Sequence, residues 1–222
     1  LKERGLMMKN APHLSGKQAF VIPIYTRWDQ LKYGVGLKVY DLMAGRLRIG
    51  RSHIISRKQV IEKIPTIKQE GLLGGVVYYD GQFDDARLAV NLAETAANHG
   101  ATVLNYARCV GLIKEKDIVR GIQMKDTISG EEIEVRGKCV INATGVFVDD
   151  LRKYDVPASK DIVAVSQGIH FVLPKDFLPG DSALMVPKTA DGRVLFAVPW
   201  HDHVVVGTTD TPLPGKSLEP RA

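Results

Sequence analysis

A chain of 222 residues that is 45% hydrophobic and 25% charged can bury one or two ordinary cores, which excludes a disordered protein. No apolar run approaches the ~20 residues that span a bilayer as a helix, and no secretory leader is expected. The net charge of +5 is uneven, because residues 1–70 hold 14 Lys and Arg against 5 Asp and Glu while the remainder is acidic. A basic first third suits a phosphorylated substrate, an anionic membrane surface or a nucleic acid.

The first 75 residues are irregular in pattern, punctuated by Pro12, Pro23, Gly34, Gly36, Gly45 and Gly50. Phe20 to Tyr25 predicts a short extended stretch. Trp28 to Ala44 and Ser56 to Lys63 predict helices, the second capped by Ser56 and stopped before Pro65. Val76 to Gly81 reads as a strand entering a turn. Asp84 and Asp85 then cap a helix whose apolar residues Leu88, Ala89, Leu92, Ala93, Ala96 and Ala97 recur at helical spacing until Gly100. Ala101 to Leu104 predicts the next strand. Ala107 to Val135 alternates and is broken at Glu115-Lys116-Asp117 and Ser129-Gly130-Glu131, as a three-stranded meander would be. Cys139 to Asn142 is almost wholly apolar, as expected of a strand covered on both faces. After Pro157, strand-like runs at Gly168–Leu173, Ala183–Val186, Val194–Val198 and Val204–Gly207 point to a mostly antiparallel sheet.

The fold class is therefore mixed α/β (α+β). A Rossmann-like unit with a β-meander (79–156) is inserted between two segments, 1–78 and 157–222, of a mostly antiparallel substrate-binding sheet with helices. Cys109 and Cys139 lie in apolar, strand-like contexts and are expected to be buried free thiols, in keeping with a cytoplasmic protein. Several signals are discounted. Gly34-Val35-Gly36 lacks the third glycine and the leading strand of a dinucleotide fingerprint. His201-Asp202-His203 sits between two predicted strands, so a hairpin turn is expected rather than a metal site. Asn142-Ala143-Thr144 fits a glycosylation acceptor but ends a predicted buried strand. Arg46, Arg48, Arg51 and Arg57 make a basic stretch without a nucleic-acid-binding motif, so no nucleic-acid partner is expected.

The run Val140-Ile141-Asn142-Ala143-Thr144-Gly145 ends in a small, hydroxyl-bearing turn. In dinucleotide-binding flavoproteins such a turn closes over the cofactor, opposite a glycine-rich phosphate loop on the first strand. No such loop precedes Gly145, so the chain is expected to be a piece of a longer enzyme. Four further stretches accompany the turn. They are Ala11-Pro12-His13-Leu14, Tyr79-Asp80-Gly81-Gln82-Phe83-Asp84-Asp85-Ala86-Arg87-Leu88, Ser166-Gln167-Gly168-Ile169-His170, and Pro199-Trp200 with Val206-Gly207-Thr208-Thr209-Asp210. Together, in order and spacing, they resemble the FAD-dependent glycerol-3-phosphate dehydrogenase and oxidase family across nearly the whole chain.

The resemblance implies hydride transfer from sn-glycerol 3-phosphate to FAD, giving dihydroxyacetone phosphate. Electrons would pass to quinone or oxygen, on the cytoplasmic face of a membrane where quinone is the acceptor. It places His170 in the substrate pocket, orienting or deprotonating the C2 hydroxyl, with Arg193 adding positive charge nearby. Ala143, Thr144 and Gly145 would contact the flavin or its pyrophosphate, and Cys109 and Val110 the adenine through main chain. The Thr208-Thr209-Asp210 turn would mark the chain's return to the cofactor domain. Against each stands a plainer account: a strand histidine with a structural hydrogen bond, a solvated hairpin arginine, a tight turn, a core residue. The chain alone is expected to hold FAD weakly and not to turn over, which a flavin absorbance spectrum tests. Two other classes stay open: a related FAD amine or amino-acid oxidase, and a non-catalytic membrane-surface or partner-binding module.

Overall fold

A computed structural model describes residues 2–44, 49–189 and 191–216. In chain order the elements begin with α1 (Lys2–Asn10), β1 (Ser15–Ile24), α2 (Arg27–Ala44), β2 (His53–Ser56), α3 (Arg57–Lys63), β3 (Gly74–Phe83) and α4 (Asp85–Asn98). The strands β4 (Ala107–Glu115), β5 (Ile118–Asp126) and β6 (Glu132–Arg136) follow, then α5 (Val148–Asp155). The last elements are β7 (Ser166–Gln167), β8 (Phe171–Pro174), β9 (Ala183–Val186), β10 (Leu195–Trp200), β11 (His203–Gly207) and β12 (Thr211–Pro212). They divide into two compact units, one of residues up to Leu92 with Gly168–Asp210, the other of Ala93–Gln167 with the residues from Thr211 onward.

The first unit is a seven-stranded sheet in the order β2-β3-β1-β9-β10-β11-β8. Every pair is antiparallel except β1 with β9. β1 lies inside the sheet between β3 and β9, and its last four residues are buried on both faces, as a covered strand requires. Val21 and Val77 face one layer, where Val60 of α3 and Ile64 just beyond its end pack with Leu72, Leu178, Ala197 and Val204. Ile22, Ile24, Val76 and Tyr78 face the other, beneath Tyr33 and Leu37 of α2. α3 forms because Ser56 closes a capping box, its hydroxyl accepting from Gln59 N–H while the Gln59 side chain accepts from Ser56 N–H. β3 runs past residue 78 to Phe83 because its whole length pairs with β1, from Ser15 opposite Phe83 to Ile24 opposite Gly74.

In the second unit β4, β5 and β6 form the expected meander. Lys116 and Asp117 both take positive φ, the turn that suits the twist of a two-residue hairpin. The β5–β6 turn is organised by Asp126, which accepts from Ile128 N–H and the Ser129 hydroxyl at 2.8 Å each. Residues 157–167 belong to this unit and are tied to α5. The buried Asp149 carboxylate accepts from the N–H groups of Ile162 and Val163, both at 3.0 Å, and from Arg152 at 2.7 Å. Burial alone would raise that carboxyl, but these hydrogen bonds and the Arg152 charge hold it below its ordinary value.

Several expectations need correction. Ala101–Leu104 and Cys139–Asn142 are irregular rather than strands, and Ile141 is 84% exposed. An apolar strand is buried only when neighbours hydrogen-bond to both its edges and elements cover both faces, and the described residues supply neither here. Cys139 is accordingly exposed and Cys109 half-buried, though both are free thiols. α1 and α5 add to the expected elements: α1 carries no apolar stripe, and the stripe of Val148, Leu151 and Tyr154 on α5 spans only eight residues, too short for periodicity to stand out. Gly34 and Gly36 lie inside α2, and His201-Asp202 forms the β10–β11 turn. Arg46 and Arg48 fall outside the described residues.

Candidate active site

His170 is placed by a strand register. The β11–β8 ladder runs from His203 opposite Pro174 to Val206 opposite Phe171, so His170 stands one residue beyond its end, opposite Gly207. Side chains alternate across a sheet, which puts His170 on the same face as Phe196, the partner of Gly207 on β10. The predicted strand Gly168–Leu173 is therefore interrupted, and residues 168–170 form an irregular lead into β8. The imidazole lies against the Gly207 backbone, where a β-carbon would fall 2.7 Å from Nε2 and 2.9 Å from Cγ. The ring is exposed, and among the described residues its nitrogens have no hydrogen-bond partner.

The same face continues as an aromatic floor. Phe196 meets Phe20 edge-on at 6.0 Å, and Phe20 stacks on Tyr78 at 5.1 Å. Tyr78 donates its hydroxyl to Met185 Sδ at 3.3 Å. Beyond it lies an apolar cavity of about 320 Å³ lined by Ile22, Tyr33, Leu37, Tyr78, Asp80 and Met185. Burial, with the Asp29 charge beside it, holds the Tyr33 phenol above its ordinary range.

Arg193 stands in the β9–β10 turn, three residues before Phe196 and so about 10 Å along the strand from the level of His170. Its guanidinium is paired with Asp191, at 2.7 Å from Nε and 2.6 Å from Nη2. Its backbone is fixed by Thr189, whose hydroxyl donates to Arg193 O and accepts from Arg193 N. The Asp191 carboxyl is lowered first by its hydrogen bond from Thr189 and then by Arg193. Much of the arginine's charge is therefore answered locally.

The residues assigned to FAD all lie in the second unit. In the β4–β5 ladder Cys109 opposes Met124 and Gly111 opposes Gln123, so the register passes over Val110 as a bulge. A bulged residue keeps its main-chain polar groups out of the ladder, which fits contact with an adenine edge by main chain. At the other segment Asn142 accepts from the Thr144 hydroxyl at 2.8 Å and donates to Val148 O at 2.9 Å. Gly145 has φ +56° and open space where a side chain would be, so its backbone accepts close approach by a bulky group. These residues fit the flavin nucleotide. Val146 also lines a cleft of about 280 Å³ bounded by Asp149, Val163, Leu213 and Lys216, the lysine paired with Asp150 at 2.6 Å.

Two features escaped sequence reasoning. Gly207 and Thr209 contact the His170 segment directly, the ring through Gly207 and Ile169 N–H through Thr209 Oγ1 at 2.8 Å. The signal was the antiparallel pairing of the two runs, which fixes Gly207 opposite His170. The structure also gathers three of the motif stretches around one cleft of about 230 Å³, whose walls include His13, Gln82, Asp84, Arg87 and Trp200. There Gln82 donates to Pro199 O at 2.9 Å, and the Asp84 carboxylate caps α4 by accepting from Arg87 N–H at 3.0 Å. Much of the motif chemistry thus serves the junction of β3, α4 and β10.

A family model for FAD dependent oxidoreductases (DAO) matches residues 1–222. The mitochondrial glycerol-3-phosphate dehydrogenase of Homo sapiens is 42% identical over 218 residues, covering 96% of this chain and 30% of that protein. A probable mitochondrial glycerol-3-phosphate dehydrogenase of Dictyostelium discoideum is 41% identical over 222 residues, covering 96% of this chain and 35% of that protein. The chain therefore spans about a third of the length of these curated relatives. Among solved structures, the glycerol-3-phosphate dehydrogenase from Bacillus halodurans complexed with FAD superposes with TM-score 0.82 at 29% identity, over 100% of this chain and 40% of that one. L-proline dehydrogenase from P. horikoshii shares the fold at TM-score 0.77 and 14% identity, over 99% of this chain and 57% of that one. The chain belongs to the FAD dependent oxidoreductase (DAO) family.

Proposed function

We propose that this chain is part of an FAD-dependent glycerol-3-phosphate dehydrogenase that oxidises sn-glycerol 3-phosphate to dihydroxyacetone phosphate. The observation that carries the proposal is 42% identity across 96% of the chain to the human mitochondrial enzyme of that name. The site agrees with it. Bound FAD would supply the hydride acceptor, held by the main chain of Cys109 and Val110 and by the Ala143-Thr144-Gly145 turn. Oxidation of a secondary alcohol also requires a base for the hydroxyl proton, and His170 offers an exposed imidazole on a fixed strand lead. Arg193 serves as a peripheral positive charge for the phosphate, its strength reduced by Asp191.

Quinone is the proposed electron acceptor, with an anionic membrane surface as the working location, on its cytoplasmic face. Support comes from the basic first third and from α2, where Trp28, Leu31, Val35, Val39 and Leu42 are all exposed along one helix. The test uses the full-length protein loaded with FAD. Anaerobic addition of sn-glycerol 3-phosphate should bleach the flavin absorbance, and a quinone analogue should restore it. Bleaching by an amino acid and not by glycerol 3-phosphate would replace the proposal with the amine-oxidase class. Sedimentation with phosphatidylglycerol vesicles tests the membrane part, which fails if binding is absent at low salt.

A further inference from the structure

The Gly207-Thr208-Thr209 turn grips the segment that carries His170 at three points. The ladder between β11 and β8 ends at Val206 and Phe171, so regular pairing does not hold His170. Beyond that end, Ile169 N–H donates to Thr209 Oγ1 at 2.8 Å. Gly168 fits under the turn so closely that a β-carbon there would stand 2.8 Å from both Thr208 Oγ1 and Thr209 O. The imidazole itself rests on Gly207, where any side chain would overlap the ring. The His170 ring has no hydrogen-bond partner of its own among the described residues. Its place is thus set by what presses on it and by what fixes the backbone before it.

We infer that Gly207 and Thr209 are positioning residues for His170: Gly207 provides the surface on which the imidazole lies, and the Thr209 hydroxyl anchors the preceding residue. The inference rests on the proposed role of His170 as the proton acceptor for the substrate hydroxyl. A valine at 209 keeps the shape of threonine and loses the acceptor, so Ile169 N–H is left unmatched and the lead to His170 is released. A serine keeps the acceptor. An alanine at 207 forces the ring off its seat. Misplacing a reacting group by about 1 Å costs on the order of 100-fold in rate.

The experiment uses the full-length enzyme with FAD and measures kcat, KM and the pH profile of kcat/KM. Thr209→Val should lower kcat about 10- to 100-fold with little change in KM and displace the acidic limb of the profile, where a proton-accepting imidazole is lost to protonation, while Thr209→Ser stays within about twofold of wild type. In a His170→Asn background, Thr209→Val should cause no further loss, because the residue it positions is gone. A full additional loss in that background would overturn the inference, as would a silent Thr209→Val beside an impaired His170→Asn. The imidazole NMR signals of His170 in the 222-residue chain provide a readout independent of activity. Gly207→Ala and Thr209→Val should shift those signals and Thr209→Ser should not; unmoved signals would overturn the positioning. A silent His170→Asn with shifted signals would leave the positioning standing and remove the proton-acceptor role.

Discussion

At the scale of single residues the demands on His170 and Asp149 are opposite. The role proposed for His170 requires an unencumbered ring, and the structure leaves both nitrogens without hydrogen-bond partners among the described residues. His170→Asn in the full-length flavoenzyme should lower kcat by about 100-fold or more, the usual size of a lost general base, with KM little altered, as measured by flavin reduction in stopped flow. Arg193→Ala should raise KM for glycerol 3-phosphate by only about threefold, since Asp191 already answers the guanidinium. Asp149 instead has to be fully engaged, holding two N–H groups and Arg152 from the first turn of α5. Its folded carboxyl is lowered below the ordinary 3.8. Its stabilising contribution is therefore complete above that value and is lost as pH falls through the lowered one. Asp149→Asn should be less stable than wild type at pH 7, and the two urea-unfolding curves should converge as the pH is brought below 3.8.

Elements differ in how much of their cause is local, and that decides what the sequence discloses. α3 is written in Ser56, Gln59 and the apolar pair Val60 and Ile64, and it appears at Arg57–Lys63 as expected. α4 has no buried residue, yet it forms where its signals lie. Asp84 caps it, and Gly100 ends it at φ +87° while Ala101 N–H reaches back to Ala96 O at 3.0 Å. The meander likewise follows its polar turns. The runs Ala101–Leu104 and Cys139–Asn142 carry the right composition for strands, but a strand needs neighbours, and composition does not say whether they are present. The site shows the same division. His170 was legible as a candidate from its surrounding motif, whereas the contact with Gly207 depends on a pairing 37 residues away that only the register discloses. A local cause also gives a local prediction. Ser56→Ala should destabilise the first unit by about 1 kcal/mol in urea unfolding, and Asp84→Ala should fray the first turn of α4, lowering helical ellipticity.

For the whole molecule the distribution of exposed apolar groups is decisive. In the second unit Val103, Leu104 and Ile141 are at least half exposed, and Ile141 reaches 84%. Single exposed hydrophobic residues are ordinary, but unpaired backbone beside apolar side chains on two strand-like segments makes a surface that pairs with other chains. The same holds at the sheet edge of the first unit, where Phe171 and Val172 of β8 are 63% and 65% exposed. The 222-residue chain should therefore associate in solution as concentration rises. Sedimentation velocity at about 5 and 100 µM should show a growing fraction of faster species, since unpaired, exposed strand segments favour association. Charge placed at the centre of the more exposed segment should oppose it, so Ile141→Lys is expected to shift the distribution towards monomer without altering far-UV circular dichroism, because residue 141 lies in no helix or strand. Val172→Lys should weaken association through the β8 edge by the same physics. If the wild-type chain sediments as a monomer at both concentrations, these segments are closed by conformations of the chain itself, and the apolar run ending at Gly145 has found its cover within these residues.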